Sequence, residues 1–321
     1  MATAPRDSNP NEPQRLLQPV EIHPLLRPSD RPIVAFAFDD RIARQSVRAL
    51  TSLSRNSRQE LDAVILARCW KPWTVAYYRA LELERLRIRI LDMSAVSFPG
   101  DLRLLAHTTA ATMDRLYLPM LLPSADRVVY LDTDLICLAD LAPLYDLALP
   151  DSGIAARPSV KEGYATLPDL VKTWARPRDR ETILDELVRN GVPATLRTFN
   201  AGVLVMDLQK LRRRSFIRTT LDLVRRFGVN DQLAINLYTK GEFEPLDPSW
   251  NLFAGQDTHN APLIIHWPGR KKPWNTDDLP FNNLWDSYAR EYDPIRQWIR
   301  ARLGSRPVNP LQRIEPSWLT L

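Results

Sequence analysis

The strongest chemical signal in this 321-residue chain is Val128-Val129-Tyr130-Leu131-Asp132-Thr133-Asp134. An apolar run delivers two carboxylates two positions apart. In extended chain, alternate side chains share a face, with α-carbons about 6.6 Å apart. Asp132 and Asp134 can therefore converge on one hard cation. Ligands of open parallel sheets bind beyond the carboxyl ends of the strands, and the pair falls at such an end. Oxygen ligands plus one imidazole suit Mn²⁺ or Mg²⁺, and such a cation neutralises a diphosphate as it leaves. The plainer alternative is that Asp132 caps the following segment and Asp134 is solvated, since short motifs match often by chance.

The elements that must position this pair are legible in part. The continuous apolar run Ile33-Val34-Ala35-Phe36-Ala37-Phe38 marks a strand buried on both faces, and it stops at Asp39-Asp40. Helical spacing follows, with Ile42, Val47, Leu50 and Leu53 on one face. Residues 63–66 read as strand, 72–86 as helix, 88–91 as strand, 108–118 as helix and 127–131 as strand. This alternation implies a parallel sheet with crossover helices. Beyond it, 179–190 and 215–227 read as helices, 199–206 as strand, and Asn230 caps a helix reaching Lys240. Gly191, Gly228, Gly241 and Gly304, four of the ten glycines, sit where helices end on a left-handed residue. Residues 1–30 hold six prolines and read as a flexible arm, 31–280 as one domain, and 281–321 as a helical, basic and aromatic tail.

Bulk properties narrow little. Hydrophobic residues make up 45% of the chain, which suits a soluble globular protein. The formal charge is +5, compatible with phosphorylated ligands or anionic surfaces. No basic stripe interleaves with aromatics, so a nucleic-acid partner is not expected. Two cysteines, Cys69 and Cys137, make no disulfide scaffold. No apolar run approaches the roughly 18 residues of a membrane helix, and residues 1–30 lack the apolar block of an export signal. A cytoplasmic location is expected.

Four blocks in order are similar to glycosyltransferase family eight, which includes bacterial lipopolysaccharide galactosyl- and glucosyltransferases and glycogenin. They are Tyr130-Leu131-Asp132-Thr133-Asp134, Phe199-Asn200-Ala201-Gly202-Val203, Asn230-Asp231-Gln232, and His266-Trp267-Pro268-Gly269-Arg270-Lys271-Lys272-Pro273-Trp274. The resemblance spans residues 32–274. It implies an α/β fold of the GT-A type: a Rossmann-like, mostly parallel central sheet flanked by helices in a single merged domain. It makes Asp132, Asp134 and His266 the metal ligands, with Asp132 and Thr133 also at the donor. It makes Gly269 and Lys272 diphosphate contacts, where glycine admits close backbone approach and lysine brings a mobile charge. Asp39 and Asp40 would meet the nucleoside. The family's Asn is replaced by Arg41, which could instead reach a phosphate. Thr112 and Arg115 lie in a segment resembling Thr-x-x-Arg-Leu, with Arg115 at the donor sugar or diphosphate. Asn200 and Ala201 would touch the sugar. Asp231 would bind its hydroxyls, and Gln232 would lie beneath the anomeric carbon.

The resemblance implies transfer of a hexose, galactose or glucose, from a UDP-sugar to a saccharide or glycolipid such as lipopolysaccharide core, with retention. Gln232 stands where a nucleophile would be needed and is a poor one. Same-face transfer is therefore expected, with Asp231 as the fallback carboxylate. Residues 155–192, with Tyr164 and Trp174, are the expected acceptor region. Ile295, Trp298, Ile299 and Leu303 share a face ringed by Arg296, Arg300, Arg302 and Arg306. That pattern suits docking on the domain or peripheral contact with anionic lipid. Two rival functions remain at this level. One is a haloacid-dehalogenase-like phosphohydrolase, although Ile136 stands where those enzymes usually need Thr or Val. The other is a non-catalytic nucleotide-sugar binder.

Overall fold

The computed structural model describes residues 20–21, 31–96, 98, 109–160, 164–189, 191–193, 195–257 and 261–303. In chain order, β1 is Val20–Glu21, β2 Ile33–Asp39, α1 Ala43–Asn56, β3 Leu61–Arg68, α2 Pro72–Arg79 and β4 Leu86–Asp92. Then come α3 Ala110–Met113, a 3₁₀ turn Asp114–Tyr117, α4 Leu118–Leu121, β5 Arg127–Leu131, β6 Leu135–Cys137, α5 Ala142–Tyr145 and β7 Ile154–Pro158. The second half holds α6 Leu167–Trp174, α7 Arg180–Arg189, β8 Phe199–Asp207, α8 Leu208–Arg213, α9 Phe216–Phe227 and α10 Asp231–Thr239. It ends with β9 Glu244–Pro245, β10 Leu252–Phe253, β11 Ile264–His266, α11 Asn282–Ser287 and α12 Pro294–Leu303.

The main sheet runs β1-β4-β3-β2-β5-β8-β7-β9. Strands β4, β3, β2 and β5 are mutually parallel, the arrangement that crossover helices impose. The second half departs from the simple parallel expectation, because β8 is antiparallel to both β5 and β7. Apolar periodicity reports burial but not direction, so the inserted strand was invisible to it. A three-stranded sheet β10-β11-β6 sits beside the main one, with β11 antiparallel to β6.

Alternation along the strands divides the core. Val34, Phe36 and Phe38 of β2 pack with Val47, Leu50 and Leu53 of α1 on one face. Ala35, Ala37, Tyr130 and Leu204 meet Met113, Leu170, Val224 and Leu233 on the other. A third cluster, Ile136, Leu252, Ile265, Trp267, Trp285 and Tyr288, lies under the small sheet. Each large buried side chain contributes roughly 1.5–3 kcal/mol.

Three helix boundaries differ from expectation. The helix expected over 72–86 ends at Arg79, since Leu83 and Leu86 turn inward to pair and to join the sheet. The helix expected over 108–118 is broken into α3, the 3₁₀ turn and α4, with Pro119 in the first turn of α4 rather than at its stop. Lys240 takes the left-handed cap of α10, one residue before Gly241. Gly191 and Gly228 end their helices with positive φ as expected, while Gly304 lies outside the described residues. Helix α12 packs along α2 and leaves Ile295 and Ile299 54% and 43% exposed.

One buried side chain ties the second half to the sheet. Asn236 of α10 accepts from the Phe199 amide (2.9 Å) and donates to the Phe199 carbonyl (3.1 Å) and the Gln232 carbonyl (2.9 Å). It imitates a neighbouring strand and fixes α10 against the start of β8. Asn236→Ala should therefore lower the unfolding free energy by roughly 2–4 kcal/mol in a urea titration, because it strands two buried backbone groups.

Candidate active site

The pairing register explains why residues so distant in sequence meet. At the end of β5 the Asp132 amide donates to the Gly202 carbonyl of β8 (2.8 Å). In the small sheet His266 lies opposite Leu135, and the Trp267 amide donates to the Asp134 carbonyl (3.0 Å). One carboxylate is thus carried to β8 and the other to β11. The ligand atoms of Asp132, Asp134 and His266 all lie within 4.8 Å of one another. His266 Nε2 is 3.2 Å from Asp134 Oδ1 and 3.9 Å from Asp132 Oδ2.

The three residues fit a divalent cation. Two hard oxygens and an imidazole nitrogen face a common point, while the other imidazole nitrogen is engaged at 2.8 Å by Asn251 Oδ1. Asp132 divides its carboxylate. Its Oδ1 accepts from Arg115 Nη2 and from the Tyr130 hydroxyl, both at 3.0 Å, which leaves Oδ2 on the His266 side. Thr133 is buried between the two acids. Burial pushes the Asp134 carboxyl up, but Lys272 and His266 beside it outweigh burial and hold it below the usual carboxylate range. The Lys272 ammonium is paired with Asp134 Oδ2 and donates to the Trp267 carbonyl (2.8 Å).

Arg115 takes an inward position. It is 3% exposed. Its Nε lies 2.9 Å from the Thr112 carbonyl and from Asp231 Oδ2, its Nη1 donates to the Ala201 carbonyl at 2.5 Å, and its plane sits 4.1 Å from the Tyr130 ring. It therefore braces the acids from behind. Asp231 opens α10 and is also buried, its other oxygen 3.4 Å from the Thr112 hydroxyl. Burial raises its pKa, with Arg115 pulling against that rise.

Beside this, Ala201 N–H (3.2 Å) and Asn200 Nδ2 (3.4 Å) both donate to Gln232 Oε1. Gln232 is left with its NH₂ to offer a ligand. Asp39 ends β2, which neighbours β5 in the sheet, and Asp40 opens the 3₁₀ turn that follows it. Asp39 is held by the Arg41 side chain at 2.7 and 3.1 Å, and Asp40 braces the Lys71 amide (3.1 Å) and the Thr74 hydroxyl (2.6 Å). Gly269, in the loop after β11, needs glycine because its φ is +89°. Tyr164 and Trp174 stack edge-on with centroids 6.2 Å apart and pack on the core. Sequence reasoning missed Asn251 and Tyr130. Tyr130 carried a signal, since it shares a strand face with Asp132; Asn251 carried none.

A mostly parallel nucleotide-binding type of sheet with an Asp-x-Asp pair at a strand end and a histidine brought alongside defines a GT-A glycosyltransferase. The chain belongs to glycosyl transferase family 8, whose model matches residues 33–278. The probable galacturonosyltransferase-like 2 of Arabidopsis thaliana is 27% identical over 289 residues, 81% of this chain and 82% of that protein. Glycosyltransferase 8 domain-containing protein 1 of Xenopus laevis is 26% identical over 285 residues, 80% of this chain and 77% of the relative. The solved galactosyltransferase LgtC, in complex with donor and acceptor sugar analogs, superposes with a TM-score of 0.57 at 22% identity, covering 87% of this chain and 98% of LgtC. The bifunctional glycosyltransferase WbbM in its apo form reaches 0.66 at 21% identity, covering 87% of this chain but only 53% of WbbM. The family match sets aside the phosphohydrolase reading.

Two substitutions probe the geometry. A Cβ on Gly202 would lie 2.3 Å from His266 Cε1 and 3.0 Å from Asp132 Oδ2. Gly202→Ala should separate the triad and lower kcat/KM at least ~10²-fold, since displacements near 1 Å cost that much, with the circular dichroism spectrum kept. Lys272→Met removes the internal cation from Asp134. It should tighten Mn²⁺ binding in the nucleotide-free protein by roughly tenfold at low salt, as read by titration calorimetry.

Proposed function

We propose that this glycosyltransferase moves a hexose, galactose or glucose, from a UDP-sugar to a saccharide or glycolipid acceptor such as lipopolysaccharide core, retaining the anomeric configuration. The observation that carries the reading is the convergence of Asp132, Asp134 and His266 on one point beside Asn200, Ala201 and Gln232. The relatives' names, among them a galacturonosyltransferase-like protein and a galactosyltransferase holding donor and acceptor analogs, support it.

Asp132, Asp134 and His266 would hold Mn²⁺ or Mg²⁺. When bound, that cation supplies positive charge to the departing diphosphate. Lys272, whose ammonium rests on Asp134 and the Trp267 carbonyl, would add its own positive charge to the same leaving group, assisted by the backbone at Gly269. Asp39 and Asp40 serve the nucleoside, Thr112 and Thr133 the donor's sugar and phosphates. Asn200, Ala201 and Asp231 orient the sugar, and Arg115 keeps the acids in register at the donor.

Retention through a covalent intermediate would need a free nucleophile under the sugar. Gln232 has its oxygen engaged twice, and Asp231 is 4% exposed and locked to Arg115. Among these two, neither oxygen is available without breaking a built contact. The acceptor hydroxyl therefore attacks from the leaving group's own face, its proton passing to a diphosphate oxygen.

Incubation with Mn²⁺ and a panel of UDP-sugars, including UDP-galactose, UDP-glucose and UDP-galacturonate, should release UDP from one of them by slow hydrolysis. Asp134→Ala should abolish that release; retained turnover would remove the cation site from the reading. An inverted product linkage would rule out same-face transfer.

A further inference from the structure

We infer that Asn251 is a positioning residue, which sets the nitrogen that His266 turns toward the two carboxylates. Asn251 is fully buried in the turn between β9 and β10. Its placement is over-determined from behind. Arg157 donates to the Asn251 carbonyl (2.6 Å), is ion-paired to Asp257 at 2.6 Å and lies 4.0 Å from the Phe253 ring, which meets the His266 ring edge-on.

The polarity of its amide follows from a backbone donor. Gly202 N–H can only donate, and it donates to Asn200 Oδ1 (2.9 Å). That oxygen is therefore an acceptor, so the Asn251 atom 3.1 Å from it is the NH₂ group. The other end of Asn251, Oδ1, then faces His266 Nδ1 at 2.8 Å, and Nδ1 carries the hydrogen between them. Nε2 is left with its lone pair directed to Asp132 and Asp134.

Without this constraint the carboxylates would act in the opposite sense. Asp134 Oδ1 lies 3.2 Å from Nε2 and would draw a hydrogen onto that nitrogen. Asn251 opposes them, so the imidazole is held ready to act as a ligand. The inference rests on the cation reading of the triad, and it adds a determinant that lies outside the four blocks of resemblance.

The test uses the full chain with ¹⁵N-labelled histidine, of which there are four residues. Imidazole ¹⁵N spectra of the metal-free wild type should show His266 with its hydrogen on Nδ1. Asn251→Leu should move it to Nε2 and raise the Mn²⁺ dissociation constant about 10- to 100-fold, the usual effect of losing such a partner. Asn251→Asp keeps an acceptor at Nδ1 but turns its second oxygen against the Asn200 Oδ1 acceptor, so it should keep the hydrogen on Nδ1 and bind Mn²⁺ less tightly than the wild type yet more tightly than Asn251→Leu. A wild-type hydrogen on Nε2, wild-type Mn²⁺ affinity in Asn251→Leu, or equal weakness of the Asp and Leu variants would each overturn the role. Absence of Mn²⁺ binding by the wild type would instead overturn the cation reading and this role with it.

Discussion

A buried guanidinium that touches three separate segments constrains everything around it. Arg115 holds Asp132 of the strand end, Asp231 of the α10 N-terminus and the Ala201 carbonyl of β8. Burial disfavours its charge, but Asp132, Tyr130 and Asp231 outweigh burial and hold its pKa above the ordinary arginine value. Removing one partner from such a buried set typically costs 3–5 kcal/mol, because it leaves uncompensated charge. The acids are therefore pinned before any ligand arrives, the condition for a site that acts by placement. Asp132 can have one oxygen on the cation side only because the other is already satisfied.

The same turn that delivers Arg115 explains how the chain uses its arginines. Asp114 and Arg115 are adjacent on the tight 3₁₀ turn and face different partners, Asp114 receiving Arg68 at 2.5 and 2.9 Å while Arg115 serves the site. Arg87 likewise pairs with buried Asp62, and Arg157 with Asp257. A share of the basic residues thus neutralises inward carboxylates. These one-to-one pairs are neutral, so the surplus of +5 resides in other basic residues.

What could be read from sequence follows from which physical signals are local. The buried strand before Asp132 and the Asn230 cap are encoded within a few residues, and both are where expected. The antiparallel insertion of β8 and the break of the helix around Arg115 are set by contacts across the sheet, so periodicity could not report them. Arg115 was expected at the donor; its contacts with Thr112, Ala201, Asp132 and Asp231, made across three segments, could not be read from its spacing. His266 was identified by resemblance alone, and its partner Asn251, fifteen residues earlier, belongs to no spacing rule.

Two adjacent amides of β8 impose one polarity on the whole site. Ala201 N–H orients Gln232, and Gly202 N–H, through Asn200 and Asn251, orients His266. The group expected under the sugar and the group expected on the cation are thus referenced to a single strand, which is itself bonded to Asp132 through the Gly202 carbonyl. A covalent route would require Gln232 or Asp231 to leave its partners during each turnover. A same-face route asks only that both reactants be held still, and the hydrogen bonds of β8 already hold the protein's half of that geometry.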